Sequence, residues 1–307
     1  MTTAHEFGGI PNPAPARLSV GIVSAGRVGT ALGEALERVG HIVSAVSAPS
    51  STSRARAARR LPEAAIREPA AVAAHAELLI LAVPDTVLAQ CVEGLAPLVN
   101  PSAIVLHTSG ATGVGVLAPL SVRGCTTVAF HPAMTFVDAP EDTDRLRSAC
   151  VGVTAVDEVG YAVGQALAIE LGAEPVRVRE DARALYHAAL SHGANHLVAL
   201  IDDAVAALTV ALDGGAHQDS VGGPAAGLPE RVLGPLARAA LENALRSGPA
   251  ALTGPAARGD ADTVRRHRAA LDAVDPPIAA AYRAQSRRAA SQSGTLSILD
   301  TVLKPQP

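Results

Sequence analysis

Histidine, serine and asparagine occur four residues apart in the second half of the sequence, at His187, Ser191 and Asn195. If the segment is helical, this spacing places the three side chains on one face. Histidine exchanges a proton near neutral pH, so His187 is the candidate proton donor on that face. The alternative is that His187 and Asn195 only make contacts at a domain interface.

Two further histidines, His192 and His196, are also four residues apart, and such a pair can share a metal ion. They point to a different face of the same helix from His187. No carboxylate completes a motif of the HExxH type, although Asp202 and Asp203 follow. Because two histidines alone do not close a metal site, the sequence predicts no bound metal.

A turn of small residues follows the first apolar run and has the pattern of a dinucleotide-binding turn. Gly26 and Gly29 occupy the second and third positions of the G-x-G-x-x-G pattern, whereas Ser24 replaces the first glycine. Small residues let the backbone approach a pyrophosphate, and the amides that begin the next helix bind the anion. A purely structural turn is the alternative. The predicted cofactor contacts in this turn are Ser24, Ala25, Gly26, Arg27, Val28 and Gly29.

The segment after the second predicted strand favours NADP over NAD. An acidic residue at this place would bind the ribose hydroxyls of NAD, but residues 46–54 contain no Asp or Glu. Ser47 and Arg54, with Arg27 in the turn, suit a 2′-phosphate, which a carboxylate would repel. A polar loop before a solvated basic helix is the other interpretation.

Two more predicted strands end in residues that should lie at the same edge of a sheet. Ligands of open α/β sheets bind beyond the carboxyl ends of the strands, so these residues are expected to face the cofactor or a substrate carboxylate. Asp85 is equally suited to cap the next helix, and the second group is equally suited to a plain turn. The residues are Val83, Pro84 and Asp85 after one strand and Thr108, Ser109 and Gly110 after the next.

His131 and Arg258 are the candidate substrate contacts. His131 follows an apolar strand and precedes Pro132, which favours an extended backbone there. It either contacts a ligand at the sheet edge or holds the loop by a hydrogen bond. Arg258 precedes Asp260, a candidate helix cap, and is suited to pair with a carboxylate or an acidic substrate.

The elements that must position these residues alternate along the first half of the chain. Strands are predicted at 18–23, 41–46, 64–66, 78–83, 103–107, 126–130, 151–155 and 176–178, with helices at 27–39, 53–61, 69–75, 85–95 and 158–171. This alternation specifies βαβ units and a doubly wound sheet. Helices follow at 181–212, 229–246, 260–273 and 276–290, with a Gly-rich link at 214–227.

The sequence therefore predicts an α/β, Rossmann-type, doubly wound domain followed by an all-helical domain. The expected divisions are a disordered tail at 1–16, a nucleotide-binding domain at 17–180, a helical domain at 181–300 and a second tail at 301–307.

Composition excludes several other classes of protein. The 25 Lys and Arg against 29 Asp and Glu give a net charge of −4, and aromatic residues are only 2%. Nucleic-acid binding is therefore not expected. Three cysteines without a CxxC pair indicate a reducing cytoplasm. No run approaches about 20 uninterrupted apolar residues, so no membrane span is predicted.

Several motifs together resemble a known family. They are S-A-G-R-V-G from Ser24, L-A-V-P-D from Leu81, H-T-S-G from His107, H-P-A-M-T-F from His131, L-Y-H-A-A from Leu185 and T-G-P-A-A-R-G-D from Thr253. These motifs resemble the Rossmann-like proteins that carry a C-terminal DUF2520 domain, especially the alanine-rich actinobacterial and mycobacterial members. Such proteins are distant relatives of 6-phosphogluconate dehydrogenase, pyrroline-5-carboxylate reductase and ketopantoate reductase. The resemblance spans roughly Leu18 to Ala290 and implies an oxidoreductase that forms a homodimer through the helical domain.

The relatives also suggest roles for the polar helix face. In hydroxyacid dehydrogenase and ketopantoate reductase relatives, a Lys and an Asn lie four residues apart on the equivalent helix. Asn195 matches that Asn and is expected to hold a carbonyl oxygen or the nicotinamide amide. Ser191 stands where the Lys would be, and family members usually carry Gly at the position of Ser24.

The resulting prediction is an NADP-dependent oxidoreductase that acts on a small carbonyl or imine acid, bound between the two domains. Kinship suggests ketopantoate as a named substrate. The missing Lys and the presence of Ser24 favour one alternative, an NADP-binding sensor or scaffold without catalysis. An F420-linked oxidoreductase is a third interpretation.

Overall fold

A computed structural model describes residues 17–213 and 227–304. The chain divides into two compact units, Met1–Ser191 and His192–Pro307. The first is built on a β-sheet with helices, and the second on helices, which confirms the predicted fold class. The predicted N-terminal tail, residues 214–226 of the predicted link and residues 305–307 lie outside the described residues.

The sheet of the first unit has eight strands in the order β3-β2-β1-β4-β5-β6-β7-β8. All neighbouring strands are parallel except β6 and β7, which are antiparallel. The strands are β1 (Ser19–Val23), β2 (Ile42–Val46), β3 (Ala65–Ile66), β4 (Leu78–Leu81), β5 (Ile104–His107), β6 (Thr126–Pro132), β7 (Cys150–Ala155) and β8 (Glu174–Arg177).

Helices cover both faces of this sheet, as the continuous apolar strands predict. The helices up to the end of the long one are α1 (Arg27–Arg38), α2 (Ser51–Arg60), α3 (Pro69–His75), α4 (Asp85–Leu95), α5 (Ala118–Ser121), α6 (Glu141–Arg145), α7 (Glu158–Glu170) and α8 (Arg183–Asp213). Short 3₁₀ turns precede α5, follow α6 and precede α8.

Strand β4 shows why both faces need cover. Its side chains alternate between two hydrophobic cores: Leu78 and Ile80 join one, and Leu79 and Leu81 join the other. All four are essentially inaccessible to solvent. Since successive side chains of a strand point to opposite faces, a strand with four buried apolar residues must lie in the middle of a three-layer structure.

The order of the strands creates the place where a ligand can bind. The chain runs from β1 outward through β2 to β3, then returns to the other side of β1 as β4. This reversal leaves a crevice beyond the carboxyl ends of β1 and β4, where open α/β sheets bind ligands. The ends of β5 and β6 continue the same edge, because they are parallel to β4.

The observed elements match the predicted ones to within two residues, with a few additions. Helix α2 begins two residues early because the Ser50 hydroxyl accepts a hydrogen bond from the Ser53 amide and forms a capping box. Helices α5 and α6 were not predicted, since each spans five residues or fewer.

In the described part of the second unit, five α-helices follow the C-terminal part of α8, with a short 3₁₀ turn after the first of them. They are α9 (Leu228–Ser247), α10 (Pro255–Arg258), α11 (Ala261–Val274), α12 (Pro276–Gln292) and α13 (Leu296–Leu303). The predicted cap of α11 is confirmed, because the Asp260 carboxylate accepts the Thr263 amide at 3.0 Å. The tail predicted from residue 301 was wrong: α13 continues to Leu303 and buries Val302 and Leu303.

Two long helices leave apolar side chains in solvent. Leu197, Val198 and Leu200 on α8 are exposed, as are Leu236 and Leu245 on α9. Exposed apolar surface of this kind is typical of an interaction site, so it favours the homodimer, which stays a prediction.

The segment Glu180–Leu212 is the one helical stretch of the described residues that is long and apolar enough to cross a membrane. This segment does not meet the criterion of uninterrupted apolar residues used for the sequence, because polar residues are scattered along it. The cytoplasmic location stays a prediction.

Candidate cofactor and catalytic site

The turn between β1 and α1 has the backbone of a dinucleotide-binding turn despite its serine. Ser24 adopts φ +81°, the left-handed region that glycine occupies without strain. Its amide donates to the Ser47 hydroxyl at 2.9 Å, and the Ala25 amide donates to the Ser47 carbonyl at 2.8 Å. The end of β2 therefore holds the turn in place.

Glycine is required where the turn enters the helix. A Cβ on Gly29 would lie 2.5 Å from the Ser24 carbonyl oxygen, so only glycine lets α1 pack this closely on β1. A Cβ on Gly26 would meet only the Ser24 hydroxyl, at 3.6 Å. The Ser24 side chain thus borders the open side of the turn and does not press against its backbone.

The start of α1 is suited to an anion. Among the described residues, no side chain caps the helix, and its first turn has no acidic residue. Unpaired amides and the helix dipole give this end a positive electrostatic potential, and Arg27 adds an exposed charge. A pyrophosphate would find amide donors here without displacing a side chain.

A cavity of about 870 Å³ adjoins this turn and contains five of the predicted cofactor contacts. They are Ser24, Ser47, Arg54, Val83 and Pro84, and the remaining lining residues are Val23, Ala48, Pro49, Ile66, Arg67, Glu68, Pro69, Val87 and Cys91. The structure thus brings together the ends of β1, β2, β3 and β4 around one space.

Two arginines, Arg54 and Arg67, line the cavity. The Arg54 guanidinium donates to the carbonyls of Ala48 and Pro49, at 3.3 and 2.8 Å. These hydrogen bonds hold its charge beside the loop between β2 and α2. Arg67 follows β3 directly and was not predicted. The sequence feature that could have identified Arg67 is a basic residue directly after a predicted strand. Glu68 is the one acidic residue of the lining.

Asp85 is not the cap of α4. The cap position is Pro84, and no side chain of the described residues makes a capping bond there. Asp85 is the first residue of α4, is exposed, and lies close enough to His107 and His131 for its charge to raise their pKa. The capping alternative is therefore wrong, and the carboxylate lies at the same sheet edge as the two histidines.

The turn after β5 is ordered by the strand's own histidine. His107 is fully buried, accepts the Ser109 amide on Nδ1 at 3.2 Å and donates from Nε2 to the Gly113 carbonyl at 3.0 Å. The Ser109 hydroxyl accepts the Thr112 amide at 2.9 Å. Ser109 thus has a structural role in the turn, and of the three predicted residues only Thr108 is not buried. Their assignment as cofactor contacts stays a prediction.

Two histidine rings meet over Gly110. The ring centroids of His131 and His187 are 6.0 Å apart, with the planes nearly perpendicular. A Cβ on Gly110 would lie 2.5 Å from His187 Cδ2 and 2.8 Å from His131 Nε2. The two predicted residues are thus neighbours, although 56 positions separate them in sequence. Tyr186 completes the cluster, with its hydroxyl 3.1 Å from His131 Nδ1.

A buried arginine fixes this cluster. Arg183 is 1% exposed, and its guanidinium donates to the carbonyls of Ser109, Thr112 and Gly152 at 2.7, 3.2 and 3.2 Å. One turn earlier, the Glu180 carboxylate accepts the amides of two residues in the same loop, at 2.8 and 3.0 Å. The start of α8 is therefore attached to the loop after β5 by charges of both signs.

Burial sets the charge of two histidines in this region. It lowers the pKa of His107 to about 4, with Arg183 adding to the shift. Burial, followed by the charges of Arg183 and His187, lowers the pKa of His131 to about 4. Both imidazoles are consequently neutral at physiological pH.

The other predicted site residues lie farther along the chain. Ser191 ends the first unit, whereas Asn195 is exposed on the part of α8 that belongs to the second. Arg258 is also in the second unit and donates to the Thr253 carbonyl. His192 and His196 are exposed, with their Nδ1 atoms 2.8 Å apart. No group of three possible metal ligands occurs among residues 17–213 and 227–304.

Sequence reasoning missed Tyr186, Arg183 and Glu180. Arg183 and His187 have the same four-residue spacing as His187 and Ser191, so the helical face that was recognised extends one turn further back. Glu180 has no such signal, because its role depends on the position of a loop 65 residues earlier.

Replacing Ser24 by glycine is expected to stabilise the first unit. The left-handed backbone costs an L-residue about 1 kcal/mol, which glycine avoids. The free energy of unfolding in urea should rise by up to that amount. Asp138→Gly is the matched control, because Asp138 is also left-handed, at φ +70°. Its carboxylate pairs with Arg56 and Arg59, so this replacement relieves the backbone strain but also removes two ion pairs. A loss of stability in Ser24→Gly would contradict this account of the turn.

The buried His107 predicts a stability that falls in acid. Its folded pKa of about 4 lies below the ordinary value of 6.5. Its contribution is therefore complete above pH 6.5 and is lost as the pH falls towards 4, by up to about 3 kcal/mol.

His107→Gln keeps a donor and an acceptor but does not titrate. Urea unfolding at pH 7 and pH 4.5 should show a smaller loss for this variant than for the wild type. Equal losses in the two proteins would show that His107 is not the titrating group.

Two family models match the chain, one for each part. A Rossmann-like domain matches residues 1–132, and a domain of unknown function, DUF2520, matches residues 149–289. Among curated proteins, none is similar enough in sequence to match.

Several solved structures share the fold. A proposed NADP oxidoreductase of Bacteroides fragilis is 22% identical, with a TM-score of 0.73 over 90% of this chain and 98% of its own. An imine reductase of Myxococcus stipitatus, in complex with NAD⁺, is 15% identical, with a TM-score of 0.58 over 94% and 100%. A pyrroline carboxylate reductase of Plasmodium falciparum, with NADP bound, is 12% identical, with a TM-score of 0.54 over 93% and 100%.

At these identities the solved structures establish the fold alone, whereas the two family models account for most of the sequence. They match in the order that the motifs around Ser24, His131 and Thr253 had indicated. The chain belongs to the family of proteins in which a Rossmann-like domain precedes a DUF2520 domain.

Proposed function

We propose that this protein is a nicotinamide-dependent oxidoreductase that prefers NADP and acts on a small carbonyl or imine acid. One observation carries the proposal: the left-handed Ser24, which lines a cavity of about 870 Å³, leads directly into the uncapped start of α1. A turn that served only to connect β1 and α1 would need neither the close packing at Gly29 nor an open space beyond it.

The lining of the cavity fits NADP. The amides at the start of α1 would receive the pyrophosphate, as helix N-termini do in this class of fold. Ser47, Arg54 and Arg67 would surround the 2′-phosphate. Among the solved structures of the same fold, the Plasmodium reductase holds NADP and the Myxococcus reductase holds NAD⁺, which supports a nicotinamide cofactor for this fold.

A bound reduced nicotinamide would supply a hydride to an unsaturated carbon of the substrate. The protein must then supply a proton to the neighbouring heteroatom. His187 lies at the sheet edge, against Gly110 and beside His131, and imidazole is a suitable donor near neutral pH. His131, at the end of β6, is the proposed substrate contact.

Replacing Arg54 by alanine should weaken NADPH binding about tenfold and NADH binding much less, because one charge-assisted contact to a phosphate is lost. Fluorescence titration of the two reduced nucleotides measures both constants. Arg59→Ala removes the same charge from the same helix outside the cavity lining and should change neither. Equal losses for NADPH and NADH in Arg54→Ala would defeat the 2′-phosphate assignment.

Replacing His187 by alanine should lower kcat by about a hundredfold and leave the affinity for NADPH unchanged, since the proton donor acts only in the chemical step. Turnover of NADPH with 2-keto acids and with cyclic imines provides the assay. His192→Ala, an exposed histidine farther along α8, serves as the control.

Unchanged turnover in His187→Ala would exclude this residue as the donor. Tight NADPH binding without turnover of any compound in the assay would favour the sensor alternative. Binding of neither nucleotide would remove the proposal.

A further inference from the structure

The hydrogen bond between Tyr186 and His131 fixes the position of the imidazole ring and also bears on which of its nitrogens carries the proton. The Tyr186 hydroxyl lies 3.1 Å from His131 Nδ1, and the two rings meet edge to face. The Tyr186 hydroxyl also packs closely against the backbone of β7, because a Cβ added at Gly152 would lie 2.6 Å from the phenol oxygen.

The phenol is the donor in this hydrogen bond. No other partner of the Tyr186 hydroxyl occurs among the described residues, so it uses its one bond either to donate or to accept. Burial raises the pKa of Tyr186, which keeps the proton on the oxygen. An imidazole nitrogen accepts better than a phenol does, and the reverse arrangement would leave the phenol proton without a partner.

His131 remains neutral in this position, so its single ring proton must be on Nε2. The ring is largely buried, and the charges of Arg183 and His187 oppose a second proton, while Asp85 favours one. His107 is the remaining titratable neighbour, and it is neutral by burial. The pKa of His131 is consequently about 4.

The Nε2 atom of His131 belongs to the end of β6 and lies next to the turn after β5. It lies against the bare Cα of Gly110, beside His187. No protein acceptor for it occurs among residues 17–213 and 227–304. It is also absent from the buried polar atoms without a partner, which among the described residues are Arg60 Nη1 and Asp142 Oδ1. The Nε2–H group is therefore not sealed from solvent, and it is available to donate to a ligand.

We propose that Tyr186 is a positioning residue that locks His131 as a neutral Nε2–H donor, and that this donor binds the oxygen of a carbonyl substrate. The substrate class is therefore an aldehyde or ketone acid and not an iminium. This inference rests on the proposed function and selects between the two substrate classes that it leaves open.

The selection follows from the chemistry of the two groups. A carbonyl oxygen has two lone pairs, so it can accept the His131 N–H and still take a proton from His187. An imine nitrogen has a single lone pair, which its protonation uses, so it cannot accept the His131 N–H as well. Reduction would add a hydride to the carbonyl carbon and a proton from His187 to the oxygen, converting C=O to an alcohol and the reduced nicotinamide to its oxidised form. The His131 N–H bond stays intact throughout.

The tautomer can be measured without cofactor or substrate. Long-range ¹H–¹⁵N NMR of protein labelled at histidine, between pH 6 and pH 8, should show His131 with its proton on Nε2 alone. Loss of its signals in His131→Gln provides the assignment. Tyr186→Phe removes the lock and should give a mixture of the two tautomers over the same pH range.

The helical unit contains a matched control. The Tyr282 hydroxyl lies 3.0 Å from His267 Nδ1, the same pair of atoms in a different part of the chain. Tyr282→Phe should alter the signals of His267 and leave those of His131 unchanged. Unaltered His267 signals in Tyr186→Phe would show that this variant is folded. Wild-type His131 with its proton on Nδ1, or doubly protonated at pH 7, would overturn the proposal.

Turnover tests the substrate class separately. With NADPH, the wild type should reduce 2-keto acids, for which pyruvate and ketopantoate are the probes, and should not reduce 1-pyrroline-2-carboxylate. His131→Leu should lower kcat for the keto acid by about a hundredfold, and His131→Gln, which retains an N–H donor, by less. Tyr186→Phe should lower kcat by about tenfold with no change in the KM for NADPH.

Reduction of the imine alone would overturn the substrate class, and so would NADPH binding without reduction of either compound. Failure to bind NADPH would overturn the proposed function. The NMR result would still decide the role of Tyr186 in that case.

Discussion

The buried guanidinium of Arg183 is the interaction on which the geometry of the cluster of His131, Tyr186 and His187 depends. A charge removed from water costs several kcal/mol unless its donors are paired, so the carbonyls of Ser109, Thr112 and Gly152 must stay where they are. These oxygens belong to the loop after β5 and to β7. The arginine thus joins both to the first turn of α8, and the two histidine rings over Gly110 depend on the same three segments.

The turn between β1 and α1 is held by a different physical means. There the turn relies on a strained residue, Ser24, and on hydrogen bonds from neighbouring segments. Arg56 donates to the Ala25 carbonyl at 3.3 Å and to Asp138, a second left-handed residue, at 2.9 Å. Backbone strain is retained where surrounding contacts determine the conformation, and it is common at ligand sites. One edge of the sheet therefore combines a strained turn with a tightly packed cluster of rings.

Most of the fold could be predicted from the sequence because periodicity reports burial directly. The Leu78–Leu81 run and the helix over residues 85–95 are examples of local patterns that the tertiary structure retains. The five-residue α6 was beyond prediction, since its acidic sequence resembles a loop. It is ordered by the Asp142 carboxylate, which accepts three backbone amides at 2.9–3.2 Å. That geometry exists only when the chain is folded.

The candidate site was predicted less completely, for a related reason. Residues at strand ends, such as Ser47 and Val83, could be placed by topology alone. Arg67 directly follows a strand of only two residues, and its place in the cavity lining was passed over. Tyr186 acts through His131, 55 residues away, and no spacing rule connects the two. The sequence also could not show that Pro84, and not Asp85, occupies the cap of α4.

The attachment of α8 to the sheet has a consequence for dissecting the molecule. The first compact unit ends at Ser191, eleven residues beyond the Glu180 turn, and not where the last strand ends. A fragment truncated after Arg177 would retain the eight described strands, but the β5 loop would lose its hydrogen bonds to Glu180 and Arg183, and His131 would lose its bond to Tyr186. A sheet domain expressed on its own therefore has to include the first turns of α8 if it is to keep the cluster of rings.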